Sequence, residues 1–173
     1  GVTYDARLVG YDEDEDLAVL RAIADNPLPA AEFGNSDLVQ VGDTAYAIGN
    51  PLGVELRGTM TDGIVSAINR DVQVDGRTMT LVQTNAALNS GNSGGGMFNV
   101  NGELMGIPTL KYTGSYYSGS TVEGIGMCIP INSAKPLINK VLSGEITFTA
   151  PSMSIRHPLR FAIRLLASAD RKS

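Results

Sequence analysis

Eight short apolar runs, each bounded by turn residues, restrict this chain to a β-rich fold. They are Ala6–Val9, Leu17–Ile23, Thr44–Ile48, Gly58–Ile68, Thr78–Gln83, Gly96–Asn99, Glu103–Ile107 and Ile125–Ile129. Between them stand Asn26-Pro27, Asn50-Pro51-Leu52-Gly53, Asp75-Gly76 and Asn101-Gly102, residue types that reverse the chain at low steric cost. Many short strands at this spacing build a sandwich or a barrel. Asp75-Gly76 and Asn101-Gly102 are expected to be two-residue hairpin turns of type I′, with positive φ at both positions. A helix is expected after the last run. Asn132 or Ser133 would cap it, Pro136 would sit in its first turn, and Leu137, Ile138, Val141 and Leu142 would follow, with a stop near Gly144. A second helical segment is expected over His157–Ala169, where Leu159, Ile163 and Leu166 share one face and Arg160 and Arg164 another.

The 173 residues fit one domain, or one domain with a tail. At 43% apolar and 18% charged, the composition is that of a globular chain. One Cys and one His exclude a disulfide framework, a Cys-based zinc site and a multi-His metal site. No cofactor is implied. No run is long and apolar enough to span a bilayer as a helix, and the opening residues lack the basic-then-apolar pattern of a signal peptide. Charge is unevenly spread. Residues 1–45 hold ten acids against two bases, and residues 152–173 hold five bases against one acid. That change marks a boundary near Pro151. The acidic body argues against nucleic acid as a partner, since phosphate binding needs a basic face. The 152–173 segment is a candidate for weak membrane-surface contact, although its apolar face at Leu159, Ile163 and Leu166 fits a helix packed on the domain better.

The string Gly91-Asn92-Ser93-Gly94-Gly95 carries the sharpest chemical signal. A Ser among glycines lets backbone approach a substrate closely and can turn two N–H groups toward one point. The bland alternative is a polar turn. The nucleophile elbow of α/β-hydrolases shares the spacing, but it needs a helix next and the order Ser, acid, His. Here a hairpin signal follows, and the downstream order is His157 then Asp170. A nucleophile between strands of a β-rich chain fits the double-barrel serine proteases instead, whose order is His, Asp, Ser. Asp16, at the head of the apolar run Leu17-Ala18-Val19-Leu20, is placed to orient an imidazole. Asp12-x-Asp14-x-Asp16 resembles the opening of a calcium loop, but Leu17 and Ile23 stand where that loop needs Gly and Glu. No Gly-Lys-Ser/Thr follows Gly91–Gly96, so this is no phosphate loop.

Several strings taken together resemble the HtrA/Deg family of trypsin-like serine proteases. They are Asp16–Leu20, Phe33-Gly34-Asn35-Ser36-Asp37, Val41–Gly53, Gly63-Ile64-Val65-Ser66, Gln83–Gly95 and Gly124–Pro130. The resemblance covers residues 1–145. It implies an all-β, trypsin-like double β-barrel with the active site between the barrels. This chain would hold the end of the first barrel (1–36), the whole second barrel with its C-terminal helix (37–145), and a basic tail (146–173). It further implies Ser93 as nucleophile, Asp16 as triad acid, and the backbone of Gly91, Asn92 and Ser93 as oxyanion hole. Leu88, Asn89 and Ser90, with Ile125, Gly126 and Met127, match the specificity pocket and the strand that would pair with substrate beside Gly124–Met127. The apolar Leu88 and Met127, with no acid just before Gly91, imply a pocket for aliphatic rather than basic side chains.

The departures concern Asn85, where the family usually has Asp, Gly96, where it has Pro, and above all the general base. No His precedes His157, whereas the family's His lies upstream of the acid. By the resemblance, the full-length parent would cut unfolded polypeptides, form a homo-oligomer and face the cell envelope or periplasm. The alternative is a chain of the same fold that binds peptides without cutting them.

Overall fold

The computed structural model describes residues 4–50, 56, 58–74, 76–89, 91–111, 124–145 and 163–165. Strands β1 (Ala6–Asp12) and β2 (Leu17–Ala22) form an antiparallel hairpin, and a single 3₁₀ turn follows at Ser36–Leu38. Next come β3 (Thr44–Gly49), β4 (Thr59–Val74), β5 (Arg77–Thr84), β6 (Gly96–Phe98), β7 (Leu104–Lys111) and β8 (Gly126–Pro130). These six close into a barrel in the order β3-β4-β5-β8-β7-β6, with every neighbouring pair antiparallel. Closure gives each strand a partner on both sides over part of its length and so removes the exposed edges that invite misassembly. The expected β-rich, trypsin-like partial double barrel is the fold observed.

Side-chain alternation divides the apolar residues between two cores. Ala45, Ala47, Val65, Val82, Met97 and Cys128 pack inside the barrel. Ile107, Met127 and Ile129 point outward and meet Leu17 and Val19 of β2. Helix α1 (Ile131–Leu142) lays Ile131, Ala134, Leu137, Ile138 and Val141 against the same cluster. Each such Leu or Ile contributes about 1.5–3 kcal/mol when buried. This outer core fixes the start of β2 against the barrel. Burial pushes the Cys128 thiol from 9.0 up to about 12, so it stays protonated and inert.

Three expectations need correction. Helix α1 begins at Ile131, and neither Asn132 nor Ser133 caps it. Instead the Ser36 hydroxyl, from the 3₁₀ turn, accepts from the Asn132 N–H at 3.0 Å, so the cap comes from a distant part of the chain. The Asn101-Gly102 turn is wider than two residues. Only Gly102 has positive φ there, and the Asn99 side-chain oxygen accepts from the N–H groups of Asn101 and Glu103, both at 3.0 Å. That side chain holds the loop open where a type I′ turn would close it. Finally, the helical pattern over His157–Ala169 fails at Ile163–Leu165. These residues form β9, parallel to β2 with Val19 opposite Ile163 and Arg21 opposite Leu165. The outer edge of β2 offers unpaired backbone groups, and pairing them outweighs a weak helical pattern. The rest of that segment lies outside the described residues, as does Asp75 of the other expected turn.

Edges determine local stability here. Among the described residues β1 has a partner on one side only, whereas β8 lies between β5 and β7. Amide exchange is therefore expected to be slow in Gly126–Ile129 and faster by at least about tenfold in Ala6–Val9. Equal protection would contradict this assignment of edges.

Candidate active site

Asp16 closes the four-residue loop between β1 and β2. The Asp12 carboxylate accepts from the N–H groups of Asp14 at 3.0 Å and Glu15 at 3.1 Å, bending the chain. Asp16 then adopts φ 54°, a left-handed conformation that Asp tolerates better than most residues. The buried Leu17 follows at once and anchors it. Asp16 is half-buried as a result, while Asp14 and Glu15 stay in solvent.

Ser93 sits between β5 and β6, and its loop is built on glycine. Gly91 and Gly94 have φ values of 101° and 78°, positions where a side chain would be strained. A Cβ at Gly95 would run into the Ile48 carbonyl oxygen. The loop is pinned by Asn92 N–H to Asn89 O (3.0 Å), Gly94 N–H to Pro108 O (2.8 Å), Gly95 N–H to Asn92 O (2.9 Å) and Asn50 N–H to Gly91 O (3.1 Å). Among the described residues, the N–H groups of Gly91 and Ser93 meet no protein acceptor. Two such donors on one tight loop are what an anionic oxygen needs. Asn92 is 2% exposed and donates to Ala87 O at 3.3 Å. Its side-chain oxygen has no partner among the described residues and lies against Gly49.

One residue that sequence reasoning missed ties these parts together. The Thr109 hydroxyl donates to the Asp16 carboxylate at 2.8 Å, and the Thr109 carbonyl accepts from the Ser93 hydroxyl at 3.2 Å. Thr109 is 3% exposed on β7. The apolar run read from the sequence ends at Ile107, whereas β7 continues through Pro108 to Lys111. A polar residue just past that Pro was the available signal.

The structure brings some of the expected pocket residues together and separates others. Leu88 is buried with its side chain over the Gly126 Cα, where a Cβ would come within 2.5 Å of it. Met127 instead lies in the outer core with Leu17 and Ile129, and half-buried Ile125 packs on that core. Asn89 is exposed and supplies the carbonyl that holds Asn92. Ser90 lies outside the described residues, as does His157. Within the expected pairing stretch Gly124–Met127, both sides of Gly126 and Met127 are taken. Gly126 and Met127 already pair with Thr84 and Gln83 on one side and with Lys111 and Leu110 on the other. The open edge is on β7. β6 reaches only from Leu104 to Gly106, so among the described residues Thr109–Lys111 have β8 on one side and no strand on the other, the side on which the Thr109 carbonyl meets Ser93.

The departures at Asn85 and Gly96 are accommodated locally. The Asn85 side-chain oxygen accepts from the Ile64 N–H at 2.8 Å, a role that Asp would fill equally. At Gly96 the Phe98 ring and Leu104 lie over the Cα, and a Cβ would collide with both.

The chain is similar to known proteins. Residues 1–107 match the family model described as trypsin-like peptidase domain. The chain is 40% identical over 156 residues to the serine protease Do-like HtrA of Lactococcus lactis subsp. cremoris, covering 87% of this chain and 38% of that protein. It is 44% identical over 138 residues to a probable periplasmic serine endoprotease, DegP-like, of Rickettsia prowazekii, covering 79% of this chain and 26% of the relative. Among solved structures, the HtrA-type protease AlgW with decapeptide superposes with TM-score 0.70 at 39% identity, covering 81% of this chain and 41% of that one. The chain thus spans between 26% and 41% of the length of these proteins.

If Thr109 holds Asp16, Thr109→Val should destabilise the fold by about 1–3 kcal/mol, since a half-buried carboxylate loses one donor. Thr109→Ser should recover most of that. Urea denaturation checks it, and a valine variant as stable as the parent would contradict the role.

Proposed function

Because the chain belongs to the trypsin-like peptidase domain family, we propose that it is part of an HtrA-like serine endopeptidase domain that cuts unfolded polypeptides by acyl-enzyme chemistry. The observation that carries this reading is Thr109, hydrogen-bonded through its carbonyl to Ser93 and through its hydroxyl to Asp16. Ser93 Oγ would attack the scissile carbonyl while its proton passes to an imidazole oriented by Asp16. The resulting oxyanion would lie against the N–H groups of Gly91 and Ser93. The tetrahedral intermediate would expel the amine, which takes the proton from the imidazole, and water would then release the acyl group.

No His lies among residues 1–156, the stretch where the order His, Asp, Ser would place that base. In the structure Ser93 donates to the Thr109 carbonyl, which does not take its proton. The same observation favours the second reading, a chain that holds peptides without cutting them. In either case the peptide would add as a strand along Thr109–Lys111. Its side chain before the cut would meet Leu88 over Gly126. That floor is apolar, which suits Val, Ala or Leu and disfavours an unpaired Lys. Location in the cell envelope and assembly into a homo-oligomer are proposed for the parent on the strength of the resemblance, and the Rickettsia relative is named as periplasmic.

Incubated with unfolded casein, the chain alone should give no cleavage that depends on Ser93. Product that disappears in Ser93→Ala would show that a base is already present. In competition against a fluorescent peptide, sequences with Val or Leu at the pocket position should bind at least about tenfold tighter than those with Lys. Preference for Lys or Arg would refute the pocket.

A further inference from the structure

The barrel has a second mouth, at the end away from Ser93. The Ser93 loop is bound at the Gly49 end of β3 through Asn50, and at the Pro108 end of β7 through Gly94. At the opposite ends of these strands, near Thr44 and Met105, lies a cavity of about 340 Å³, within the size range of small-molecule sites. Its floor is the buried barrel interior, formed by Val39, Ala45, Val65, Met97 and Met105. Leu38 and Val100 flank it at 72% and 68% exposure. Such apolar groups in the open around an apolar hollow favour an apolar occupant.

The rim adds a sign. Asp43 and Glu103 both line the cavity. One carboxylate oxygen of Asp43 accepts from the Gln40 N–H at 2.8 Å, and one of Glu103 from the Asn99 amide at 2.7 Å. The second oxygen of each is unused among the described residues. The nearby Lys135 ammonium is engaged elsewhere, on the Gly34 carbonyl at 2.8 Å and the Asn132 side-chain oxygen at 2.7 Å. Asn99 spends its amide on Glu103 and on the Met105 sulfur. The mouth therefore combines an apolar floor with two carboxylates that lack a cationic partner among the described residues.

We infer that this far mouth is a second binding site, for an organic cation with an apolar body, distinct from the peptide edge at Ser93. The body would occupy the hollow above Met97 and Met105, and the ammonium would lie between Asp43 and Glu103.

The test uses the whole chain with methyl-labelled methionine and three probes of equal length: n-octylammonium, n-octanol and octanoate. Octylammonium should move the Met97 and Met105 methyl signals saturably, with those of Met79 and Met127 in the outer core unmoved. Octanoate should bind at least about fivefold more weakly than octylammonium. Asp43→Asn with Glu103→Gln keeps the oxygens that Gln40 and Asn99 need. It should lower octylammonium affinity about fivefold and leave octanol unchanged. Equal binding of octanoate and octylammonium would overturn the charge assignment on the unmodified chain. Shifts at Met79 and Met127 as large as those at Met97 and Met105 would overturn the site.

Discussion

A barrel must pair its strands to be stable, yet this one leaves part of β7 unpaired, and the candidate site depends on that exception. β6 is three residues long, so it covers only the first part of β7. Past that point the backbone of Pro108 and Thr109 faces the Ser93 loop instead of a strand. The Pro108 carbonyl holds Gly94, and the Thr109 carbonyl holds the Ser93 hydroxyl. Lengthening β6 would satisfy more backbone groups but would cover the edge where a peptide could add. The opening costs little, because the loop itself replaces the missing ladder bonds.

The second requirement is that Asp16 reach the same strand from another sheet. Its left-handed φ turns the chain so that Leu17 enters the outer core immediately. Met127 and Ile129 form the barrel side of that core, with α1 closing it. Met127 thus supports the site by holding β2 in place, as part of the packing between the two sheets. The placement of β9 on the other edge of β2 belongs to the same economy of backbone groups. That edge would otherwise present unpaired N–H and C=O groups.

Local patterns in the sequence read out well where one physical effect dominates. The barrel strands follow from two-residue alternation, and the Ser93 loop from glycines that no side chain could replace. The features that were not legible depend on contacts between distant segments. Ser36 caps α1 across 96 positions, and Thr109 reaches Asp16 across 93. Neither pairing leaves a periodic trace. The apolar run stops before Pro108, and a Pro ordinarily disfavours a central strand, yet here it lies where β6 has already ended and no ladder bond is lost on that side. Asn99 misled in the opposite way. Its side chain reorganised a turn that Asn101-Gly102 alone would have made tight. Ile163–Leu165 follow the outer edge of β2 rather than a weak amphipathic pattern.

Ser93 and Asp16 are proposed to be positioned for catalysis, with an imidazole to complete the triad. Covalent labelling of Ser93 by a phosphonofluoridate tests it directly, with the chain alone and with the chain extended upstream of Gly1 by a segment carrying a His. The extended form should label at least about a hundredfold faster, as expected for a positioned general base, and the gain should vanish in Asp16→Ala. Unchanged labelling on supplying the imidazole would contradict the account and leave the peptide-binding reading in its place.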